Sequence, residues 1–124
     1  MIHALNHFTV LSSDLDRTLE FYVGALGLEP GPRPDLGFPG AWLYASGQAV
    51  LHVVAGRTMP EPRHGVIDHV ALSARGLART KARLEARGVD HTQRRLPGNG
   101  PWQIFCEDPD GAGIELQFPA DETL

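Results

Sequence analysis

The chain has 124 residues, a formal net charge of −4 and a pI near 5.8, with 42% hydrophobic and 21% charged residues. That length suits one domain able to bury a core without disulfide staples, and the single Cys106 forms no internal disulfide. The acidic balance excludes a phosphate-neutralising nucleic-acid surface, no apolar run reaches membrane-spanning length, and the N-terminus lacks a signal-peptide pattern, so a soluble cytoplasmic protein is expected.

In chain order, residues 6–11 are rich in β-branched and aromatic side chains and predict a strand. Ser12, Ser13 and Asp14 offer N-cap side chains for a helix. Its apolar face is expected at Leu15, Leu19, Tyr22 and Leu26, and Gly27 stops it. Four prolines between Pro30 and Pro39 break the next stretch into a short strand and a loop. Residues 41–45 and 48–54 read as two strands joined by a turn at Ser46-Gly47. Residues 56–65 read as a linker. The same order then returns: a strand over 66–73, a helix over 77–87 ended by Gly88, and a strand over 89–95. A Pro/Gly loop follows, then strands over 102–107 and 113–118 joined by the turn Asp108-Pro109-Asp110-Gly111. Each half is therefore βαβββ.

The duplication can be checked by subtraction. His7 and His69 are 62 apart (69 − 7), His52 and Glu115 are 63 apart (115 − 52), and Gly27 and Gly88 are 61 apart (88 − 27). Agreement among unrelated landmarks is the mark of an internal repeat. The expected organisation is one α+β domain over 1–124, with module 1 at 1–56, a linker at 57–65, module 2 at 66–118 and a tail at 119–124.

His7, His52, His69 and Glu115 occupy matching positions in the first and last strands of the two modules. Strand alternation puts Leu51 and Val53, Ile114 and Leu116, and Phe8 on the opposite face. A buried carboxylate among imidazoles needs a compensating positive charge. A divalent metal supplies one, and His with carboxylate suits zinc, iron, nickel or manganese. A lone strand histidine is more often hydrogen-bonded than metal-bound, so the weight rests on the matched placement. His3 and His64 have no such placement, and His91 matches Glu29 in the first half; these three read as solvated or structural. Cys106 reads as a small core residue, the charges within residues 83–87 as a wet helix face, and Gly111 and Gly113 as turn glycines.

The pattern carried by Leu5–Val10, by Leu19-Glu20-Phe21-Tyr22 to Leu26-Gly27-Leu28, by Ile67–Ala71 and by Asp108–Gly111 to Ile114-Glu115-Leu116 resembles the vicinal oxygen chelate superfamily over nearly the whole chain. Glyoxalase I, fosfomycin- and bleomycin-resistance proteins and extradiol dioxygenases are among its members. The resemblance implies two tandem βαβββ modules in an eight-stranded, incompletely closed barrel around one divalent metal. It implies His7, His69 and Glu115 as ligands, and His52 as either a fourth ligand or the group that moves protons. Glyoxalase-type sites usually have Glu or Gln at the position of His52. Ring-cleaving dioxygenases, with two His and one Glu on iron and a further His nearby, are closer here. The bleomycin-binding members lack the metal ligands. The resemblance also implies a homodimer and a small-molecule substrate.

Trp42 and Phe105 are 63 apart (105 − 42) and are repeat partners. With Tyr44 and Gln103 they are expected on the ligand-bearing face as a substrate lining, since Leu43 and Ile104 already serve the core. The resulting expectation is a metal-dependent enzyme, with extradiol ring cleavage first and a glyoxalase I-like lyase or isomerase second. Phe105 stands where several ring-cleaving relatives have tyrosine. A metal-free drug-sequestering protein is the rival from another class.

Overall fold

A computed structural model describes all 124 residues. The chain forms two compact units, Met1–Glu61 and Pro62–Leu124.

In the first unit the order is β1 (Phe8–Ser12), α1 (Leu15–Leu19, running on as a π-helical Glu20–Ala25), β2 (Glu29–Gly31), β3 (Gly40–Ala45) and β4 (Gln48–Ala55). Of the three possible caps, Asp14 does the capping: its carboxylate accepts from the Arg17 amide at 3.2 Å. Ser12 is buried instead, with its hydroxyl 2.7 Å from that of Thr18. The helix face differs from the expected one. Thr18, Phe21, Tyr22 and Ala25 are buried, while Leu15, Leu19 and Leu26 are only partly so. Thr18 is already the buried residue of the α-helical part, and from Glu20 the turn is wide, the Leu26 amide reaching back five residues to the Phe21 carbonyl. An extra residue per turn rotates the later side chains, and Phe21 swings inward. Gly27 then takes a left-handed φ of 84°. Ser46 (φ 50°) and Gly47 (φ 77°) make the tight β3–β4 hairpin expected of them.

The second unit repeats the order: β5 (Val70–Ser73), α2 (Leu77–Ala86), β6 (His91–Arg95), β7 (Trp102–Glu107) and β8 (Gly113–Phe118). Its helix begins after Gly76, which has no side chain to cap with. Glu122 from the tail supplies the cap, its carboxylate accepting from the amides of Gly76 and Leu77 at 2.9 and 2.6 Å. That places negative charge at the helix N-terminus, where free amides need an acceptor. The Trp102 indole donates to the Glu122 carbonyl at 2.9 Å, so the tail is tied down twice.

Each unit holds one four-stranded mixed sheet, β1-β4-β3-β2 and β5-β8-β7-β6. The first strand pairs parallel with the last, and the rest pair antiparallel. This is the tandem βαβββ arrangement, and neither sheet closes on itself. Leu43, Leu51 and Val53 in one sheet and Ile104, Ile114 and Leu116 in the other are buried. Alternation therefore leaves His52, Trp42, Glu115 and Phe105 on the opposite face.

The first strand of each module starts later than expected. The ladders begin at Phe8↔Leu51 and Val70↔Ile114, so His7 and His69 sit just before their strands. Both partner strands reach further than this pairing, β4 beginning at Gln48 and β8 at Gly113, so the two histidines lie beside strand without joining the ladder.

Candidate functional site

In the first unit the sheet register sets Thr9, His52 and Trp42 side by side. The His52 ring lies between two others. His7 stacks on it at 3.7 Å with the planes 16° apart, and Trp42 at 4.0 Å with 7° between them. Burial, followed by the nearby charges of His7 and Arg33, pushes the His52 pKa below the ordinary imidazole value. At neutral pH it is an uncharged imidazole able to accept a proton. The His7 Nδ1 donates to Oδ1 of Asn6 at 2.7 Å, which leaves Nε2 as its free nitrogen.

In the second unit the register sets Ala71, Glu115, Phe105 and Thr92 in one row. His69, just before β5, bonds through Nδ1 to Asp68 Oδ2 at 2.8 Å and through Nε2 to Glu115 Oε2 at 2.9 Å. Its pKa is raised, first by the hydrogen bond it donates to Asp68 and further by Glu115. Glu115 is buried, and its other oxygen accepts from the Gln103 amide nitrogen. Gln103 in turn accepts the Arg94 Nε–H at 2.7 Å. Because a guanidinium only donates, the Gln103 oxygen must face Arg94 and its NH2 must face Glu115. Phe105 stands edge-on to the His69 ring at 5.7 Å.

Four contributors to this site escaped the sequence analysis. Asn6 and Asp68 hold Nδ1 of the histidine that follows each, and they are 62 apart (68 − 6), as the histidines are. Such an outer partner fixes the tautomer and aims Nε2, the arrangement usual behind a metal-bound imidazole. The repeat itself carried that signal. Arg94 is set opposite Gln103 by the β6–β7 register, which no motif announces. The fourth is Gly113, whose reading as a turn glycine is corrected here. Its φ is not positive, whereas that of Gly111 is (96°). A Cβ on Gly113 would press on the Asp68 carbonyl and lie 3.2 Å from His69 Cβ, so its bareness lets the Asp68-His69 backbone pass.

The structure thus pairs His7 with His52, and His69 with Glu115; no group of three His, Cys, Asp or Glu side chains is gathered as a metal site. Trp42 lies against His52 and Phe105 against His69. Gln103 shares that face, but both ends of its amide are engaged within the protein. The Tyr44 hydroxyl donates to the Pro32 carbonyl at 2.5 Å. Of the histidines set aside, His3 and His64 are exposed, and His91 donates to the Val89 carbonyl at 2.9 Å. Cys106 is buried, which, with Asp108 nearby, pushes its thiol up to about 11 and keeps it protonated at neutral pH.

Residues 4–116 match the family model described as the Glyoxalase/Bleomycin resistance protein/Dioxygenase superfamily. The chain is 31% identical over 120 residues to the Arabidopsis thaliana protein named Glyoxylase I 4, covering 91% of this chain and 69% of that one. Its fold is similar to a mutant of FosX, the genomically encoded fosfomycin resistance protein of Listeria monocytogenes, solved with Mn(II) and 1S,2S-dihydroxypropylphosphonic acid. That similarity has a TM-score of 0.76 at 20% identity and covers 96% of this chain and 94% of that one. TnmS3, an antibiotic binding protein from a Streptomyces species, gives a TM-score of 0.71 at 25% identity, over 95% and 97%.

Proposed function

The chain belongs to the glyoxalase/bleomycin resistance protein/dioxygenase superfamily, and on that premise we propose that it is a metal-dependent enzyme acting on small molecules with two neighbouring oxygens. One observation carries this reading: His69 and Glu115 meet at 2.9 Å, and each is held from behind, by Asp68 and by Gln103. Two carboxylates flank that imidazole and raise its pKa, so the pair already favours positive charge at this point. The donor set fits a divalent ion such as zinc, nickel, manganese or iron, and the FosX structure holds Mn(II). His7, with Nδ1 tied to Asn6, is the proposed third ligand. A bound ion would supply Lewis-acid stabilisation of negative charge developing on a chelated oxygen. A homodimer in the cytoplasm belongs to the same reading.

His52 is the residue assigned to move the proton. Its lowered pKa makes it a base at neutral pH, and the rings of His7 and Trp42 hold it in one plane. The alternative, His52 as a fourth ligand, would take its lone pair out of that role. Proton-transfer chemistry, that of a lyase or isomerase, now stands first: the curated relative is named a glyoxalase, and a neutral, stacked imidazole suits proton abstraction beside a carbonyl. Extradiol ring cleavage, placed first on sequence alone, stands second; the flat Trp42–His52 stack is the feature that favours it. The metal-free binder, supported by the likeness to TnmS3, leaves the arrangement around His69 and Glu115 without a use.

Two assays on the same preparation rank these readings. Protein loaded with nickel or zinc is expected to convert the hemithioacetal of methylglyoxal and a thiol. Protein loaded with Fe(II) without air, then given a catechol panel and oxygen, is expected to give no yellow ring-opened product. The reverse pair of results would restore ring cleavage to first place.

A further inference from the structure

The stretch from Arg63 to His69 belongs to no helix or strand, yet it is fixed at both ends. At the far end, Asp68 and His69 pass over the bare Gly113. At the near end, Arg63 Nη1 donates to the Asp110 carboxylate at 3.1 Å and reaches the Asp110 carbonyl at 3.4 Å. The Arg63 Cβ also lies 3.5 Å from where a Cβ on Gly111 would stand. Between these ends the chain touches little. Nothing lies within 4 Å of a Cβ placed on Gly65, and the side chains of Val66 and Ile67 are exposed.

Both anchors belong to the turn between β7 and β8 and its exit, and that turn is stiff. The buried Asp108 carboxylate accepts from the amides of Asp110 and Ala112, each at 2.9 Å. The Asp108 amide donates to the Ala112 carbonyl at 2.9 Å, and the Gly111 amide to the Asp108 carbonyl at 3.0 Å. The Asp110 side chain is only 7% exposed, so its charge is nearly out of water and is met by Arg63. An exposed ion pair would hold the chain weakly. Parting this one would strand a buried carboxylate, which makes it a firm hold. The second unit begins at Pro62, so the hold stands between the linker and His69.

We propose that Arg63 is a positioning residue: its clasp on Asp110 ties the segment leading to His69 to the turn that also carries Gly113, and so aims the His69 ring at Glu115. The role given to His69 rests on the metal-chelate reading. Two measurements test the clasp, one with metal and one without. The first is Mn(II) titration of the metal-free protein. The second is the nuclear Overhauser cross-peak between the His69 and Phe105 rings, which stand edge-on at 5.7 Å in the absence of metal. Arg63→Ala is expected to lower Mn(II) affinity at least about tenfold, the lower end of what loss of a ligand's orientation does, and to weaken the cross-peak. Arg63→Lys is expected to keep part of both. Arg63→Ala also strands Asp110, so Arg63→Ala/Asp110→Asn separates position from stability. The double variant is expected to regain most of the denaturant midpoint but neither the affinity nor the cross-peak. Affinity within about twofold of wild type in both variants, or affinity that returns together with stability, overturns the proposal and leaves the chelate reading standing. A wild type that takes up no Mn(II), Zn(II) or Ni(II), with a cross-peak that still depends on Arg63, overturns the chelate reading and leaves the clasp. The same wild type with an unchanged cross-peak overturns both.

Discussion

Gly113→Ala is expected to weaken metal binding at least tenfold, although residue 113 touches no ligand with a side chain of its own. The added Cβ would meet the Asp68 carbonyl and the His69 Cβ, and backbone on both sides must yield. Moving that segment turns the His69 ring away from Glu115, with which it now makes a 2.9 Å contact. Loss of a ligand's orientation typically lowers metal affinity about 10–100-fold, and forced overpacking costs about 1–3 kcal/mol of stability. Gly65→Ala is the control, since nothing lies within 4 Å of a Cβ there and φ is not positive. Metal titration and denaturant unfolding of both variants check the pair. Equal metal affinity in Gly113→Ala and wild type would show that the close approach does not position His69.

The largest effect is expected for Glu115→Ala, a fall in metal affinity of more than about a hundredfold, beyond that of outer partners. The substitution removes the acceptor for both His69 and Gln103. Gln103 is buried, so leaving its NH2 unpaired costs about 1–3 kcal/mol as well. Glu115→Gln keeps the volume and separates the two effects: near-native stability with lost metal would assign the carboxylate to the ion. Elemental analysis of the purified variants gives the answer, and full occupancy in Glu115→Ala would remove Glu115 from the ligand set.

The parts of this protein legible in the sequence are those governed by local rules. Strand alternation separated Leu43, Leu51, Ile104 and Ile114 from Trp42, His52, Phe105 and Glu115, and the structure keeps that division. Gly27 and Gly88 end their helices with positive φ, as their spacing implied. The first helix was misread because a 3.6-residue period was assumed where the chain makes a wider turn, and the π-helical stretch decides which side chains go inward. β1 and β5 start later than propensity implies, because propensity does not show which residues join the ladder: pairing begins at Phe8 and Val70. Arg94 and Gly113 could not be found by motif: one matters through register with Gln103, the other through the backbone that crosses it. Asn6 and Asp68 could have been found, since the repeat that singled out the two histidines also matches the residue before each.

The proposed site would hold one divalent ion on His7, His69 and Glu115, in a homodimer. Size-exclusion chromatography with elemental detection, on protein purified without chelators, tests it most directly. The account predicts one zinc, nickel, manganese or iron ion per chain, eluting with a peak at twice the 13.5 kDa chain mass. A peak without metal that takes up none of these ions on titration would contradict it.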